Sequence, residues 1–378
     1  MPARVLICRA TPLSPDPRVD KIARSLAAAG YTIEVLGWDM TGEHPREEQA
    51  DGYLINRLRI PAQFGRGLRN VFHQLRWQAG LLSWLVRSRG KYQVVHACDF
   101  DTVLPALTGK FLWGQKVVYD IFDFYADMLR ATPAGVVSLI RRLDLWAIGL
   151  VDALILADDA RREQVRGASP RRCAVVYNCA EDLLDRLVEA SSRPADSTGL
   201  RLCYVGNLLM ERGLPALLEV LSRHPDWHLD LAGFGPDQAQ LLALARGTPN
   251  LEWHGRLPYL RGLQLAYQAD VLFATYDPAI PNNRYASPNK AFEAMMLGKP
   301  IIVARDTNMD RLVEKSGAGV AVPYGDRAAL EDALKDLQEN PALRERLGRN
   351  ARQAFENGFS WVNMQRRLLE LYQEVLTR

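Results

Sequence analysis

Short apolar runs separated by helical patterns are the feature that most narrows the fold of this 378-residue chain. Arg4 to Cys8 is apolar on both faces, Val19 to Ala29 carries a helical pattern closed by Gly30, and Thr32 to Gly37 is apolar again. The alternation continues through Gln93 to Cys98, Lys116 to Asp120, Ala153 to Ala157 and Ala174 to Tyr177. Strands that are continuously apolar belong to parallel sheets covered by helices on both faces. A second alternation opens at Leu200 to Gly206, passes through a helix over Leu214 to Ser222 and returns at His228 to Ala232. Leu251 to His254, Val271 to Ala274, Ile301 to Ala304 and Gly319 to Ala321 complete it. Between the halves, Ala180 to Gly199 ends in a polar linker, Ser191-Ser-Arg-Pro-Ala-Asp-Ser-Thr-Gly199. The expectation is an α/β chain of two Rossmann-like, doubly wound domains, residues 1–180 and 200–360, with a hinge at 181–199. A last helical pattern over 361–378 has no strand after it and is free to cross back to the first domain. Ligands of open α/β sheets bind at the carboxyl ends of the strands, so a cleft between two such edges is expected.

Composition excludes several classes. Hydrophobic residues at 48% and charged residues at 24% do not suit a disordered chain. Five cysteines without a Cys-x-x-Cys pair indicate neither a disulfide framework nor a zinc site, and a reducing cytosol fits them. The apolar run after Met1 is too short for a signal peptide, and no stretch is long enough to span a bilayer. Charge is uneven. Residues 52–98 hold eight Lys or Arg and no Asp or Glu, which leaves the remainder at −5 of a total of +3. Within that window Leu68, Val71, Phe72, Leu75, Ala79, Leu82, Leu85 and Val86 recur at helical spacing. Arg66, Arg69, His73, Arg76 and Arg87 fall opposite, with Trp77 and Trp84 near the boundary. A basic amphipathic helix over residues 66–91 suits an anionic membrane surface; a helix packed on a sheet with its arginines solvated gives the same pattern. No nucleic-acid-binding motif accompanies the charge.

Three segments carry anion-binding chemistry. Tyr204-Val-Gly206-Asn207 to Arg212-Gly213 is a strand, a glycine turn and a helix start, where backbone N–H groups and Arg212 face a phosphate. Such turns are common in α/β folds, and Ala232-Gly233-Phe-Gly235 is equally unspecific. Tyr285-Ala-Ser287-Pro288-Asn289-Lys290 is more telling, because Pro in the first turn leaves the following N–H groups free beside Asn289 and Lys290. Glu293 lies one turn on, placed to accept from ribose hydroxyls.

Together with Asp16-Pro17-Arg18-Val19, Val94-Val-His96-Ala-Cys-Asp99, Val118-Tyr-Asp120, Val176-Tyr-Asn178 and the run to Gly298-Lys-Pro300, these segments resemble the retaining family 4 glycosyltransferases of the GT-B fold over nearly the whole chain. The resemblance implies a hexosyltransferase acting from a nucleotide-diphosphate sugar, by family frequency a UDP-sugar, on a polysaccharide or lipid-linked acceptor. It implies a diphosphate site at Gly206, Asn207, Arg212, Ser287, Pro288, Asn289 and Lys290, with ribose on Glu293. Gly233, Gly235, His254, Arg256 and Leu257 fall in its nucleobase region. The family's first donor-site Glu is replaced by Tyr285, in the donor sugar region. Asn207 stands for an Arg, and His96-Ala-Cys98 for a His-x-His. His96, Asp99 and Asp123 are the candidate catalytic residues, with Asp120 a further polar group. Attack on the same face as the leaving phosphate needs neither metal nor cofactor, and Asp99-Phe-Asp101 lies outside the diphosphate segments. The expected setting is cytoplasmic, peripheral on the inner face of the membrane. A non-catalytic nucleotide-sugar- or membrane-binding protein and a GT-B nucleotide-sugar epimerase are the alternatives.

Overall fold

Val5, Leu6, Ile7 and Cys8 are wholly buried, as a strand flanked on both sides and covered on both faces must be. In the computed structural model, which describes residues 2–14, 16–62, 71–129, 132–190 and 199–377, this strand is the middle of an eight-stranded sheet. Its strands are β1 (Arg4–Arg9), β2 (Thr32–Asp39), β3 (Glu47–Gln49), β4 (Leu54–Arg59), β5 (Val94–Cys98), β6 (Lys116–Ile121), β7 (Ala153–Leu156) and β8 (Cys173–Val175), in the order β3-β4-β2-β1-β5-β6-β7-β8. All neighbours are parallel except the short edge strand β3, antiparallel to β4. The pair β3 and β4 was not expected from the pattern, because β4 buries Asn56 and Arg57 as well as Ile55. Arg57 donates to the carbonyls of Pro12 and Pro45 and pairs with Glu48, which together satisfy its buried guanidinium.

The helices of this unit are α1 (Pro17–Ala28), α2 (Val71–Arg87), α3 (Phe100–Trp113), α4 (Tyr125–Met128) and α5 (Ala134–Leu150). Helix α1 starts where Asp16 accepts from the Val19 N–H at 3.3 Å, with Pro17 in the first turn. Helices α3 and α5 lie on the connections between neighbouring strands, β5 to β6 and β6 to β7, whereas α2 lies on the crossover from β4 past β2 and β1 to β5; α3 packs against both others.

The second unit has a six-stranded, wholly parallel sheet of β9 (Arg201–Asn207), β10 (His228–Phe234), β11 (Leu251–Trp253), β12 (Val271–Ala274), β13 (Ile301–Ala304) and β14 (Gly319–Val322). Their order, β11-β10-β9-β12-β13-β14, reverses between β9 and β12. Helices α6 (Leu184–Ala190), α7 (Leu214–Leu221), α8 (Gln238–Leu244), α9 (Tyr259–Gln268), α10 (Pro281–Arg284), α11 (Asn289–Leu297), α12 (Asn308–Ser316), α13 (Arg327–Glu339) and α14 (Pro341–Asn357) follow, and α15 (Trp361–Leu376) ends the chain. The two-domain α/β expectation holds, with units Met1–Tyr177 plus Met364–Arg378 and Asn178–Asn363.

Two expectations are corrected. The hinge at 181–199 contains helix α6, whose Leu187 is buried; residues 191–198 lie outside the described ones. In α2 the core face is Trp77, Leu81 and Leu85, so Leu85 leaves the expected stripe and Trp77 leaves the boundary. Trp77 stacks on Trp38 at 5.6 Å, which decides which side of α2 faces the sheet. Arg66, Leu68 and Arg69 lie outside the described residues.

From Met364 onward α15 belongs to the first unit. Arg367 donates to the Val175 carbonyl, and the Tyr372 hydroxyl lies 2.8 Å from His96 Nδ1, both side chains being fully buried. A buried polar atom that loses its partner costs about 1–3 kcal/mol. Tyr372→Phe is therefore expected to lower unfolding free energy by about that amount in urea titration. An unchanged midpoint at unchanged slope would show that the His96–Tyr372 contact does not hold the helix.

Candidate active site

The reversal between β9 and β12 brings two loops to the carboxyl edge of the second sheet, the place where open α/β sheets bind ligands. Gly206, near the end of β9, has a φ of 153°, and a Cβ there would stand 2.6 Å from both Cε and Nζ of Lys290. The missing side chain is the space Lys290 occupies. Lys290 Nζ sits 4.0 Å above the Tyr204 ring, and the Arg212 guanidinium lies 3.7 Å over the Tyr276 ring. Burial, and after it the nearby Arg212, lowers the Lys290 ammonium to about 7, with Glu293 only partly opposing the shift. Arg212 donates to Asn283 Oδ1 at 3.4 Å, and Thr275 donates to the Arg212 carbonyl at 2.9 Å. Gly213 follows at φ 68°, where a Cβ would meet Thr275 Oγ1 at 2.0 Å. Among the described residues neither cation forms an ion pair. A buried lysine lowered in this way, with a second cation beside it, suits an anionic ligand.

Helix α11 completes the cradle. Pro288 is its N-cap rather than a first-turn residue, and no side chain caps the N–H groups that follow. Ser287 Oγ and Asn289 Oδ1 are buried atoms without a hydrogen-bond partner among the described residues. Uncapped amides, a hydroxyl, Lys290 and a helix N-terminus together have the chemistry that suits an anion. Glu293, one turn on, accepts a hydrogen bond from Tyr259 at the start of α9. Tyr259 was not anticipated, since nothing in its own segment marks it. Tyr285 ends α10 at the rim, its N–H donating to the Asn282 carbonyl. Asn207 is exposed at the tip of β9, where its carbonyl accepts from Tyr204.

The nucleobase group divides. Gly233 and Gly235 allow backbone to meet backbone: a Cβ on Gly233 would stand 1.8 Å from the Gly206 carbonyl, and one on Gly235 2.3 Å from the Leu208 carbonyl. Arg256 lies 4.7 Å over the half-exposed Phe234 ring, an aromatic platform hidden in the sequence between the two glycines. Leu257 stands half-buried before α9. His254 departs from the expectation, because its Nε2 is 2.8 Å from the buried Asp230, which Arg201 also holds at 2.7 Å. One group among the described residues, His228, Asp230 and Glu252, has ligand atoms close enough to share an ion, and Arg201 already occupies its central carboxylate.

In the first unit the catalytic candidates separate by burial. His96 is wholly interior, between Tyr372 and Asp120, so the expectation of a catalytic histidine is corrected to a structural one. Asp120 is interior too. Burial works to raise its carboxyl, but Arg18, donating at 2.8 and 3.2 Å, and His96 hold it below the usual value. Asp99 has a φ of 62°, rare for a residue with a side chain. It accepts from the N–H groups of Phe122 and Asp123 and pairs with Arg9, while burial raises its carboxyl. Arg9 and Arg18 both stack on Phe122, at 4.2 and 4.8 Å. Asp123 is the more open carboxylate, its side chain 41% exposed and bonded to Arg161. Asp101 turns to Gln74 instead, so Asp99 and Asp101 do not converge.

Comparison with known proteins adds the decisive observation. A family described as glycosyl transferases group 1 matches residues 187–354, and a glycosyl transferase 4-like domain matches residues 15–179. The chain is 31% identical to a D-inositol 3-phosphate glycosyltransferase of Saccharomonospora viridis, covering 89% of this chain and 76% of that one. The chain belongs to the group 1, family 4 glycosyltransferases. This glycosyltransferase is also 25% identical to a glycogen synthase of Mycobacterium tuberculosis over 94% of its own length and 89% of the other. Sucrose-phosphate synthase of Thermosynechococcus elongatus superposes with a TM-score of 0.81 at 16% identity, covering 99% of each chain. Anabaena HepE, solved with UDP, gives 0.75 at 16% identity over 99% and 100%. These neighbours share the GT-B fold.

A phosphate anion bound at Lys290 favours the charged ammonium, so binding takes up a proton above the free protein's value of about 7. UDP affinity should be level just below about pH 7 and weaken above it, by at most about tenfold per pH unit. Calorimetry between about pH 7 and 8.5 reads this directly. Lys290→Met should abolish the slope, and it and Arg212→Ala should each cost about 1.5–3 kcal/mol of binding. A wild-type profile without slope would remove Lys290 from the phosphate contact.

Proposed function

We propose that this glycosyltransferase moves a hexose from a UDP-sugar to a saccharide or lipid-linked acceptor with retention of configuration and without a metal ion. The observation that carries the proposal is the pair Arg212 and Lys290, unpaired beside the uncapped N-terminus of α11. The UDP complex of HepE supports the choice of base, and the names of the glycogen synthase and the inositol phosphate glycosyltransferase support saccharide-like acceptors.

As the bond from the sugar's anomeric carbon to the β-phosphate oxygen breaks, charge grows on the diphosphate. Arg212, Lys290, the Ser287 hydroxyl and the amides of α11 are already oriented towards it, so little reorganisation is needed. The acceptor oxygen forms its bond to the same carbon on the same face, and its proton passes to the departing phosphate oxygen. Glu293, oriented by Tyr259, holds the ribose. Tyr285 borders the sugar. Asp123 serves the acceptor side, positioned by Arg161 and by the Asp99-anchored backbone. The setting is the cytoplasmic face of a membrane, reached through the basic segment 66–91; no helix among the described residues is long and apolar enough to cross a bilayer.

Incubation with a panel of nucleotide sugars in excess chelator tests the chemistry. Turnover should persist within about twofold of the untreated rate, because the charge is met by side chains and amides. The product anomer, read by proton NMR, should match the donor. A strict magnesium or manganese requirement, or an inverted product, would overturn the corresponding part of the proposal.

A further inference from the structure

Large apolar side chains facing solvent concentrate in one part of the first unit. On α2, Phe72 and Leu75 are 66% and 59% exposed, and with Ala79, Leu82 and Val86 they recur at alternating steps of three and four. On α5, Val136, Leu139, Leu143 and Trp146 repeat the same spacing, with Leu139 57% and Trp146 56% exposed. Such spacing draws one stripe along a helix. Each helix already supplies a different face to the core: Trp77, Leu81 and Leu85 from α2, and Ala147 and Ile148 from α5. The solvent-side stripes are therefore not accounted for by folding. Helix α3, packed between the two, ends in Phe111 and Leu112, also largely exposed.

Charge identifies the partner. Arg76 and Arg87 follow the α2 stripe, and Arg142 adjoins that of α5. None of the three makes an ion pair among the described residues. Neither helix bears a carboxylate on its surface; Asp144, the one acid in α5, is buried against Tyr119. A second copy of this chain would bring arginine against arginine with no acid to answer it. An anionic lipid surface answers both halves of the pattern, taking the apolar stripe into the acyl boundary and the arginines at the headgroups. We propose that α2 and α5 form one docking face for an anionic bilayer, with Phe72 and Trp146 as its aromatic anchors. The proposal extends the membrane setting given above from the segment 66–91 to α5, which lies outside the acid-free window.

The test is sedimentation of the full chain with vesicles of phosphatidylcholine alone or mixed with phosphatidylglycerol. The wild type should sediment with the mixed vesicles, be released by high salt and ignore the neutral ones. Leu139→Ser with Trp146→Ser, both at exposed positions, should weaken recruitment by about tenfold or more. Arg76→Glu with Arg87→Glu should do the same, and both variants should keep wild-type UDP affinity and thermal midpoint. Quenching of tryptophan fluorescence by brominated lipid should fall in Trp146→Phe. Failure of the wild type to sediment at any salt overturns the proposal. Wild-type recruitment of the α5 variant confines docking to α2 and overturns the joint face. Equal binding to neutral vesicles removes the role of charge. Self-association without lipid, abolished by the α5 variant, assigns the stripe to a second copy instead. Loss of UDP affinity in wild type and variants alike would count against the donor reading and leave the docking result standing.

Discussion

Two cations crowd into one patch of tyrosine rings in the second unit, and Glu293 only partly offsets what burial and Arg212 do to Lys290. Much of that unit's carboxyl edge follows from this. Lys290 reaches the Tyr204 ring only because position 206 has no side chain. The β10 turn can lie against that same backbone only because Gly233 and Gly235 bring no Cβ into the Gly206 and Leu208 carbonyls. Arg212 is fixed from both ends, its carbonyl by Thr275 and its guanidinium by Asn283 and Tyr276. Two like charges held this way against aromatic rings are the feature on which the proposed stabilisation of a departing diphosphate rests.

The first unit spends its charges differently. The Asp16-Pro17-Arg18-Val19 segment resembles a functional signature, yet Asp16 caps α1 and Arg18 closes a buried pair with Asp120. Arg18 also donates to the Val176 carbonyl, and Asp120 sits beside His96, which meets Tyr372 of α15. One polar network thus ties α1, β5, β6, the end of β8 and the C-terminal helix together. A buried pair of this kind is poorly suited to exchanging protons with a substrate, because losing either charge strands the other. The strained φ of Asp99, held by two amides and Arg9, instead shapes the turn that presents Asp123.

The sequence made the architecture legible because parallel strands buried on both faces leave unbroken apolar runs, and both sheets consist mainly of such strands. β4 escaped this reading because its buried Arg57 is satisfied by carbonyls distant in sequence. The candidate anion-binding segments were legible for a local reason: Gly206, Arg212 and the 287–290 run each carry their chemistry within one loop. Their mutual contacts were not, since the distance between Lys290 and Gly206 is set by strand order. Roles that depend on burial were the least legible. His96, in the middle of β5, and His254, just past the end of β11, match candidate catalytic and base-contacting positions in sequence, but each turns inward to an aspartate. Tyr259 and Phe234 become part of the site only through neighbours more than twenty residues away, Glu293 and Arg256.

The α2 stripe shows a further limit of periodicity. When a helix is apolar on two sides, spacing alone cannot say which side meets the sheet. Phe72, Leu75, Ala79, Leu82 and Val86 form the more regular series, and Trp77, Leu81 and Leu85 the one that is buried. The choice is made by Trp38, on β2, whose indole N–H is engaged by the Ile60 carbonyl and whose ring lies flat against Trp77. Stacking two indoles removes more apolar surface from water than seating Phe72 or Leu75 in the same place, so the tryptophan face wins the sheet. The rejected face then remains apolar on the outside. With Arg76 and Arg87 beside it and no acid along the helix, it is the face on which the docking proposal rests.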